Sequence, residues 1–200
     1  MLSLLRSLFF LLLIGATLSA QSTTTISPDA CKEDLQLLQK VLFQVHGEPF
    51  AYYDKEKFTA WFEEKASTVK EPMTTLEAYR IIGQLNPLIG DSHTEIRLPD
   101  AFYEAIDTEY LMFPFGVRFL RDSLFLTVNL SGDERAIPGS VIQRINGKEA
   151  NELFHYVRQY FERDGFNETG PNIQASSLFM DYCALLIDQP SSFKVNLLAP

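Results

Sequence analysis

The chain has 200 residues with 17 basic and 26 acidic side chains, and its formal net charge at pH 7 is −9. Apolar residues make up 46% of it and charged residues 22%, a composition that is typical of globular proteins and too hydrophobic for a disordered one. Proteins that bind nucleic acids usually carry the opposite sign of charge in a basic patch, so we expect no nucleic-acid partner.

The first 20 residues have the order of regions found in a secretory signal peptide. One basic residue, Arg6, precedes an apolar run over residues 8–14, and small residues then lead to Ala20. The apolar run is shorter than the ~20 residues that a membrane-spanning helix needs. We therefore predict that residues 1–20 are a signal peptide, that the chain is exported to the periplasm or the extracellular space, and that it meets a membrane only through this segment.

Cys31 and Cys183 are the two cysteines of the sequence, too few for a disulfide framework or a zinc site. In an oxidising compartment they could form one bridge, or both could be buried as free thiols, and the sequence leaves the two alternatives open. Metal-binding motifs, a phosphate-binding glycine loop and a dinucleotide fingerprint are missing from the sequence. We therefore predict no metal site and no cofactor.

Three amphipathic helices are predicted in the first half of the exported chain. Ser27 caps the start of the first, which should end at Gly47, and Asp54 marks the start of the second. Thr74 begins a capping box for the third helix, which Pro87 should close. The apolar faces of the three helices comprise Cys31, Leu35, Leu38, Leu42 and Val45, then Phe58, Trp61, Phe62 and Ala66, then Leu76, Tyr79, Ile82 and Leu85.

From residue 89 onward, short β-like runs alternate with turns. Strands are predicted over residues 94–98, 113–120, 124–128, 140–145 and 192–197. One further helix follows the turn at Asn146, with Leu153, Phe154, Val157, Tyr160 and Phe161 on its apolar side. The sequence therefore predicts an α+β fold, in which an N-terminal three-helix subdomain (residues 21–98) precedes a β-rich module (residues 99–200).

The three histidines differ in their surroundings. His46 ends the first predicted helix, where a cation complements the helix dipole, and His155 lies within a helix, so neither is predicted to be functional. His93 lies in the polar turn GDSHT (residues 90–94), and turns that are held by rigid elements often carry catalytic groups. His93 is therefore a candidate general base. The sequence has no Gly-x-Ser-x-Gly turn, so no serine is assigned as a nucleophile.

A second candidate site is the run FPFGVRF at residues 113–119. A glycine turn that leads into a strand can direct successive backbone N–H groups at a carboxylate. We predict that this run binds a peptide C-terminus at the open edge of the strand, with the helix of residues 153–161 as the wall of the groove. The predicted peptide-binding residues are Phe115, Gly116, Val117 and Arg118. The alternative, a strand-entry glycine without a ligand, stays open.

Several segments, in this order, resemble the N-terminal part of the tail-specific (C-terminal-processing) serine peptidases, in particular secreted multidomain members of the Bacteroidetes type. They are VHGEPFAYY (residues 45–53), LIGDSHT (88–94), FPFGV (113–117), IPGSVIQRING (137–147) and DGFN (164–167). The fourth resembles the Pro-Gly-x-x-Ile-x-x-Ile-Asn-Gly signature of PDZ-like domains, so the resemblance implies that residues 99–200 form a PDZ-like domain.

In relatives with a tricorn-like site, the histidine at the position of His93 is the base for a serine far downstream, whereas in relatives with a Ser–Lys dyad it would be structural. The resemblance places that serine in a crotonase-like catalytic domain, which these 200 residues do not include. We expect the chain to be the N-terminal part of a secreted tail-specific serine peptidase, inactive alone and truncated within a strand. The alternative is a complete, non-catalytic PDZ-like protein that binds peptide C-termini.

Overall fold

The structure, a computed structural model, describes residues 25–187 and 190–200. In this part of the chain, α-helices and a five-stranded antiparallel sheet form an α+β fold, as predicted. The predicted signal peptide lies outside the described residues. Among the helices of the described residues, none is both long and apolar enough to cross a membrane.

The first half of the described chain is helical. Its elements are α1 (Pro28–Val45), α2 (Lys55–Thr68), α3 (Thr75–Ile82), a 3-10 helix (Gly83–Leu85) and α4 (Asn86–Ile89). The three predicted caps are confirmed, because the side chains of Ser27, Asp54 and Thr74 each accept a backbone N–H from the first turn of their helix. The predicted capping box is complete, since the Glu77 carboxylate also accepts the backbone N–H of Thr74.

Two details of the helical prediction are wrong. Pro87 does not close α3, because the chain continues through the 3-10 helix into α4, where Pro87 takes an early position that needs no N–H donor. The helical segment ends instead at Gly90, which follows α4 and has a φ of 73°. Val45 is 75% exposed rather than buried, since it is the last residue of α1 and the buried stripe ends at Leu42.

The second half of the chain contains the sheet. Its elements are α5 (Asp100–Glu109), β1 (Phe115–Leu120), β2 (Ser123–Asn129), β3 (Val141–Ile145), β4 (Lys148–Glu149), α6 (Ala150–Arg158), α7 (Thr169–Ser177), α8 (Phe179–Leu186) and β5 (Val195–Leu198). The strand order is β1-β2-β3-β4, and β5 also pairs with β3. Residues with positive φ form the turns between β1 and β2 and between β3 and β4, namely Arg121, Asp122, Asn146 and Gly147.

The predicted strand at residues 94–98 is wrong. This segment is extended but pairs with no strand in the described residues, because the buried Asn86 side chain takes the place of a partner. The Asn86 amide donates to Ile96 O at 3.0 Å, and Asn86 Oδ1 accepts the Ile96 N–H at 2.7 Å. A side chain that satisfies both backbone groups of a residue removes the need for a β partner.

Three helices of the second half, α5, α7 and α8, were not predicted. The α7 sequence TGPNIQASS contains residues that are poor helix formers, among them a glycine and a proline. The α8 sequence FMDYCALL is apolar nearly all round, so it has no helical periodicity to recognise. Both helices are fixed by burial, with Ala175, Phe179 and Leu185 fully covered.

Two hydrophobic clusters make up the core. One holds α1, α2 and α4, and the other holds the sheet with α5 to α8. Polar contacts join them: the Arg80 guanidinium donates to Leu185 O at 2.7 Å, and the Asn86 amide donates to Tyr160 O at 2.9 Å. The Tyr160 hydroxyl in turn donates to Arg80 O at 2.7 Å.

Candidate functional site

Asp91 organises the turn that carries His93. Its Oδ1 accepts the backbone N–H of His93 at 2.8 Å, and its Oδ2 accepts the hydroxyl of Thr94 at 3.1 Å. An aspartate that accepts hydrogen bonds from the residues after it fixes the path of a turn. His93 is held in this way at the surface, with an exposed side chain.

Two glycines and a tyrosine join this turn to a second turn further along the chain. The Tyr52 ring packs against Gly90 and Gly165, where a Cβ would come within 2.7 Å and 2.6 Å of ring atoms. The Gly165 N–H donates to Gly90 O at 2.9 Å, and the Ser92 N–H donates to Asp164 Oδ1 at 3.1 Å. Both turns belong to the segments that resemble the peptidase family, and the structure brings them together.

His46 belongs to this site as well, although the sequence analysis assigned it only to the end of a helix. Its Nε2 lies 3.0 Å from Asp91 Oδ2, and its Nδ1 is buried without a hydrogen-bond partner among the described residues. His46 thus contacts the carboxylate that holds the His93 turn. The two residues are 45 positions apart, so no local pattern could indicate the contact.

Two carboxylates place negative charge beside His93. The hydrogen bond from the His93 N–H is the main cause of the lowered pKa of Asp91, and hydrogen bonds from Ser92 lower the pKa of Asp164. Both groups are therefore ionised at neutral pH. Within residues 25–187 and 190–200, no serine hydroxyl hydrogen-bonds to a histidine ring.

The predicted peptide-binding residues divide into two groups. Phe115 and Val117 are buried, and Gly116 packs against Val128 of β2, so that a Cβ on this glycine would lie 3.1 Å from the Val128 Cβ. Arg118 is exposed. The start of β1 is therefore part of the core, and among the predicted side chains only that of Arg118 is open to solvent.

The helix beside β1 is α7 and not the predicted segment at residues 153–161. The backbone N–H of Phe119 donates to Ser176 Oγ at 3.1 Å, which holds α7 against the edge of the sheet. The predicted wall, α6, instead lies on the face of the sheet, where the Phe154 and Phe119 rings stack with centroids 4.3 Å apart. The position of α7 depends on this long-range contact, and its own sequence carried no helical signal.

A groove opens between β1 and α7 beyond the Ser176 contact. It encloses about 370 Å³ and is lined by residues 118–122 on one side and by Thr169, Asn172 and Ile173 of α7 on the other. Leu120 and Ile173 are 55% and 43% exposed there. The groove therefore combines apolar side chains with charged ones at the end of the edge strand.

Both cysteines are buried free thiols, and they lie in different clusters. Burial raises the pKa of Cys183 to about 12, so its thiol is protonated and unreactive at neutral pH. The described residues contain no group of three or more histidine, cysteine, aspartate and glutamate side chains placed to hold a metal ion.

No protein-family model matches the sequence, and no curated protein matches it. Among solved structures, the chain is similar to the crystal structure of a mutant of CPAF, with a TM-score of 0.56 and 10% sequence identity. The match covers 85% of this chain and 31% of the CPAF chain, so the chain spans about a third of that protein. CPAF is a tail-specific-protease-like serine protease, and at this identity the similarity shows a distant likeness of fold alone.

Proposed function

We propose that the chain is the substrate-handling part of a secreted serine protease of the tail-specific type. The observation that carries the proposal is the similarity of fold to CPAF over 85% of this chain. In this function the chain binds the C-terminal segment of a peptide and supplies a general base. The serine nucleophile would come from a crotonase-like domain that follows the PDZ-like module.

In the proposed mechanism, His93 accepts the proton of the attacking serine hydroxyl. The Asp91 and Asp164 carboxylates accept hydrogen bonds from His93 and Ser92 and so fix the turn that carries this histidine. Asp91 Oδ1 also accepts the backbone N–H of His93 at 2.8 Å, and the other carboxylate oxygen of Asp91 contacts His46 Nε2. His46 and Asp91 are thus positioning residues, and His93 is the residue that touches the reacting group.

Peptide binding is proposed for the edge of β1. A segment bound in the groove would run past Arg118 along residues 118–122, beyond the Ser176 contact that holds α7 against β1. Its apolar side chains would pack against Leu120 and Ile173, whose exposed surface faces the groove. Such a contact area is small, so we expect weak binding.

A non-catalytic peptide-binding protein is the second candidate. It is favoured by the absence of a serine–histidine hydrogen bond in residues 25–187 and 190–200, because peptide binding in the groove needs no nucleophile. The two candidates share the groove and differ in the fate of the bound peptide.

Fluorescence anisotropy with a labelled peptide that ends in apolar residues tests the groove. Ile173→Glu should weaken binding at least about fivefold, because it places a charge against apolar peptide side chains. Leu130→Glu is the matched control, since Leu130 is an exposed leucine outside the groove and should bind as the wild type does. Equal losses in both variants, or none in Ile173→Glu, would contradict the proposed site.

A hydrolysis assay on unfolded protein tests the catalytic part. We expect the chain alone to leave the substrate intact, since a general base without a nucleophile accelerates hydrolysis little. Turnover by the chain that disappears in His93→Ala would show that a nucleophile is already present and that this expectation is wrong.

A further inference from the structure

We infer that the groove between β1 and α7 selects peptides that carry acidic side chains, and that Arg118 and Arg121 read those side chains. The inference rests on the proposed function, because it names the class of peptide that the same groove would bind. Both arginines line the groove, Arg118 from the edge strand and Arg121 from the turn that follows it.

These two arginines differ from the others in having no partner. Within residues 25–187 and 190–200, Arg118 and Arg121 make neither an ion pair nor a side-chain hydrogen bond, and both are exposed. Every other arginine of these residues donates to a carboxylate or a carbonyl oxygen, namely Arg80, Arg97, Arg135, Arg144, Arg158 and Arg163. The guanidinium groups of Arg118 and Arg121 are therefore unpaired and lie in the same groove, although the sequence has 26 acidic side chains.

Of the two acidic residues at the groove, Glu168 is engaged elsewhere, whereas Asp122 makes no ion pair within residues 25–187 and 190–200. Glu168, next to the start of α7, pairs with both Arg158 and Arg163, and its Oε1 lies 2.6 Å from Arg163 Nη1. Asp122 lines the groove, but its charge acts on His155, where it opposes the lowering of the pKa that burial causes. The guanidinium groups of Arg118 and Arg121 are thus left to a ligand, and Asp122 limits the net positive charge of the groove.

The arrangement fits an extended peptide better than a small anion. The two arginines line the same groove as exposed Leu120 and Ile173, so a ligand that fills it must offer apolar and acidic groups together. Side chains on one face of an extended peptide recur every ~7 Å, and successive guanidinium groups can each bind one carboxylate in bidentate fashion. Acidic residues upstream of an apolar C-terminus meet both requirements.

The test compares two short peptides that share an apolar C-terminus and differ only in carrying two Glu or two Gln upstream. The wild-type chain at low ionic strength should bind the Glu peptide about 3- to 10-fold more tightly, and added salt should reduce this ratio. The double variant Arg118→Gln, Arg121→Gln should bring the ratio close to one. Amidating the C-terminus of the Glu peptide should leave the ratio unchanged, because the selected carboxylates are those of side chains.

The matched control is Arg135→Gln, Arg144→Gln, which removes the same charge from exposed arginines outside the groove. A ratio that persists in this control and disappears in the groove variant supports the inference. Equal binding of both peptides by the wild type would overturn it, as would an equal loss of the ratio in the two double variants. Failure of both peptides to bind would instead refute the proposed function.

Discussion

At the scale of single residues, Asn86 holds together more of the molecule than any sequence pattern around it indicates. Its side chain is fully buried and bonds to both backbone groups of Ile96 and to Tyr160 O. It therefore replaces a strand partner for one segment and joins two hydrophobic clusters. The alternation of polar and apolar residues at 94–98 predicted a strand because it indicates which side chains are buried. Such a pattern does not indicate which groups form hydrogen bonds with the backbone.

Asn86→Ala should lower the free energy of unfolding by about 3 kcal/mol, because it leaves one buried and two half-buried backbone groups without a partner. Urea denaturation measures this change. Asn151→Ala is the control: it removes one surface hydrogen bond, to Asp122 O, and should cost no more than about 1 kcal/mol. A similar small effect of both substitutions would show that Asn86 is not the link described here.

The stability of the native state should depend on pH through the titration of His155. Burial, and secondly the charge of Arg158, lower its pKa in the folded state, so the unfolded chain binds this proton more readily. The native state is therefore favoured above pH ~6.5, the ordinary pKa of histidine, and this advantage is lost as pH falls through the lower folded pKa. The stability of the wild type should decrease between about pH 7 and pH 5, whereas that of His155→Gln should decrease less over the same range. Parallel profiles would contradict this account.

At the scale of elements, the helix caps and turns that depend on neighbouring residues could be predicted from the sequence. The three N-caps and the turn at Asn146 depend on side chains within a few positions, and each was predicted at its place. Helices α7 and α8 depend on burial against the sheet, and the contact of His46 with Asp91 depends on the fold of the whole helical half. The two helices and the His46–Asp91 contact have no local signal in the sequence, so they could not be predicted from it.

Removing the contact between α7 and β1 should change the stability of the fold and the affinity for peptide in opposite directions. Ser176→Ala removes the acceptor of the Phe119 N–H and should lower the free energy of unfolding by about 1 kcal/mol. The freed N–H then becomes available to a peptide at the strand edge, so peptide affinity should rise up to about threefold. Ser177→Ala, an exposed neighbour on α7, should change neither quantity. A loss of both stability and affinity in Ser176→Ala would contradict binding along β1.

At the scale of the whole molecule, two hydrophobic clusters are linked by buried polar contacts. The sequence predicted a boundary near residue 98, and the contacts of Arg80 with Leu185 and of Asn86 with Tyr160 cross it. Contacts of this kind, whose loss leaves buried polar groups unpaired, should make the two halves unfold together.

The single tryptophan, Trp61, packs against the helical cluster and shares a surface pocket with Gln159 and Arg163 of the second half, so its fluorescence reports on the packing around α2. Its fluorescence and the far-ultraviolet circular dichroism of the whole chain should therefore show the same midpoint in urea. A fluorescence transition at clearly lower urea than the dichroism transition would show that the two halves unfold separately.

Binding of a peptide in the groove is the central claim, and a two-dimensional NMR titration tests it most directly. Adding a peptide with acidic residues upstream of an apolar C-terminus should shift the backbone amide signals of residues 118–122 and of Thr169, Asn172 and Ile173, which line the groove. The amides of α1, which lies in the other cluster, should stay in place. Shifts confined to surfaces away from the groove, or no shifts at peptide concentrations well above those needed for weak binding, would contradict the account.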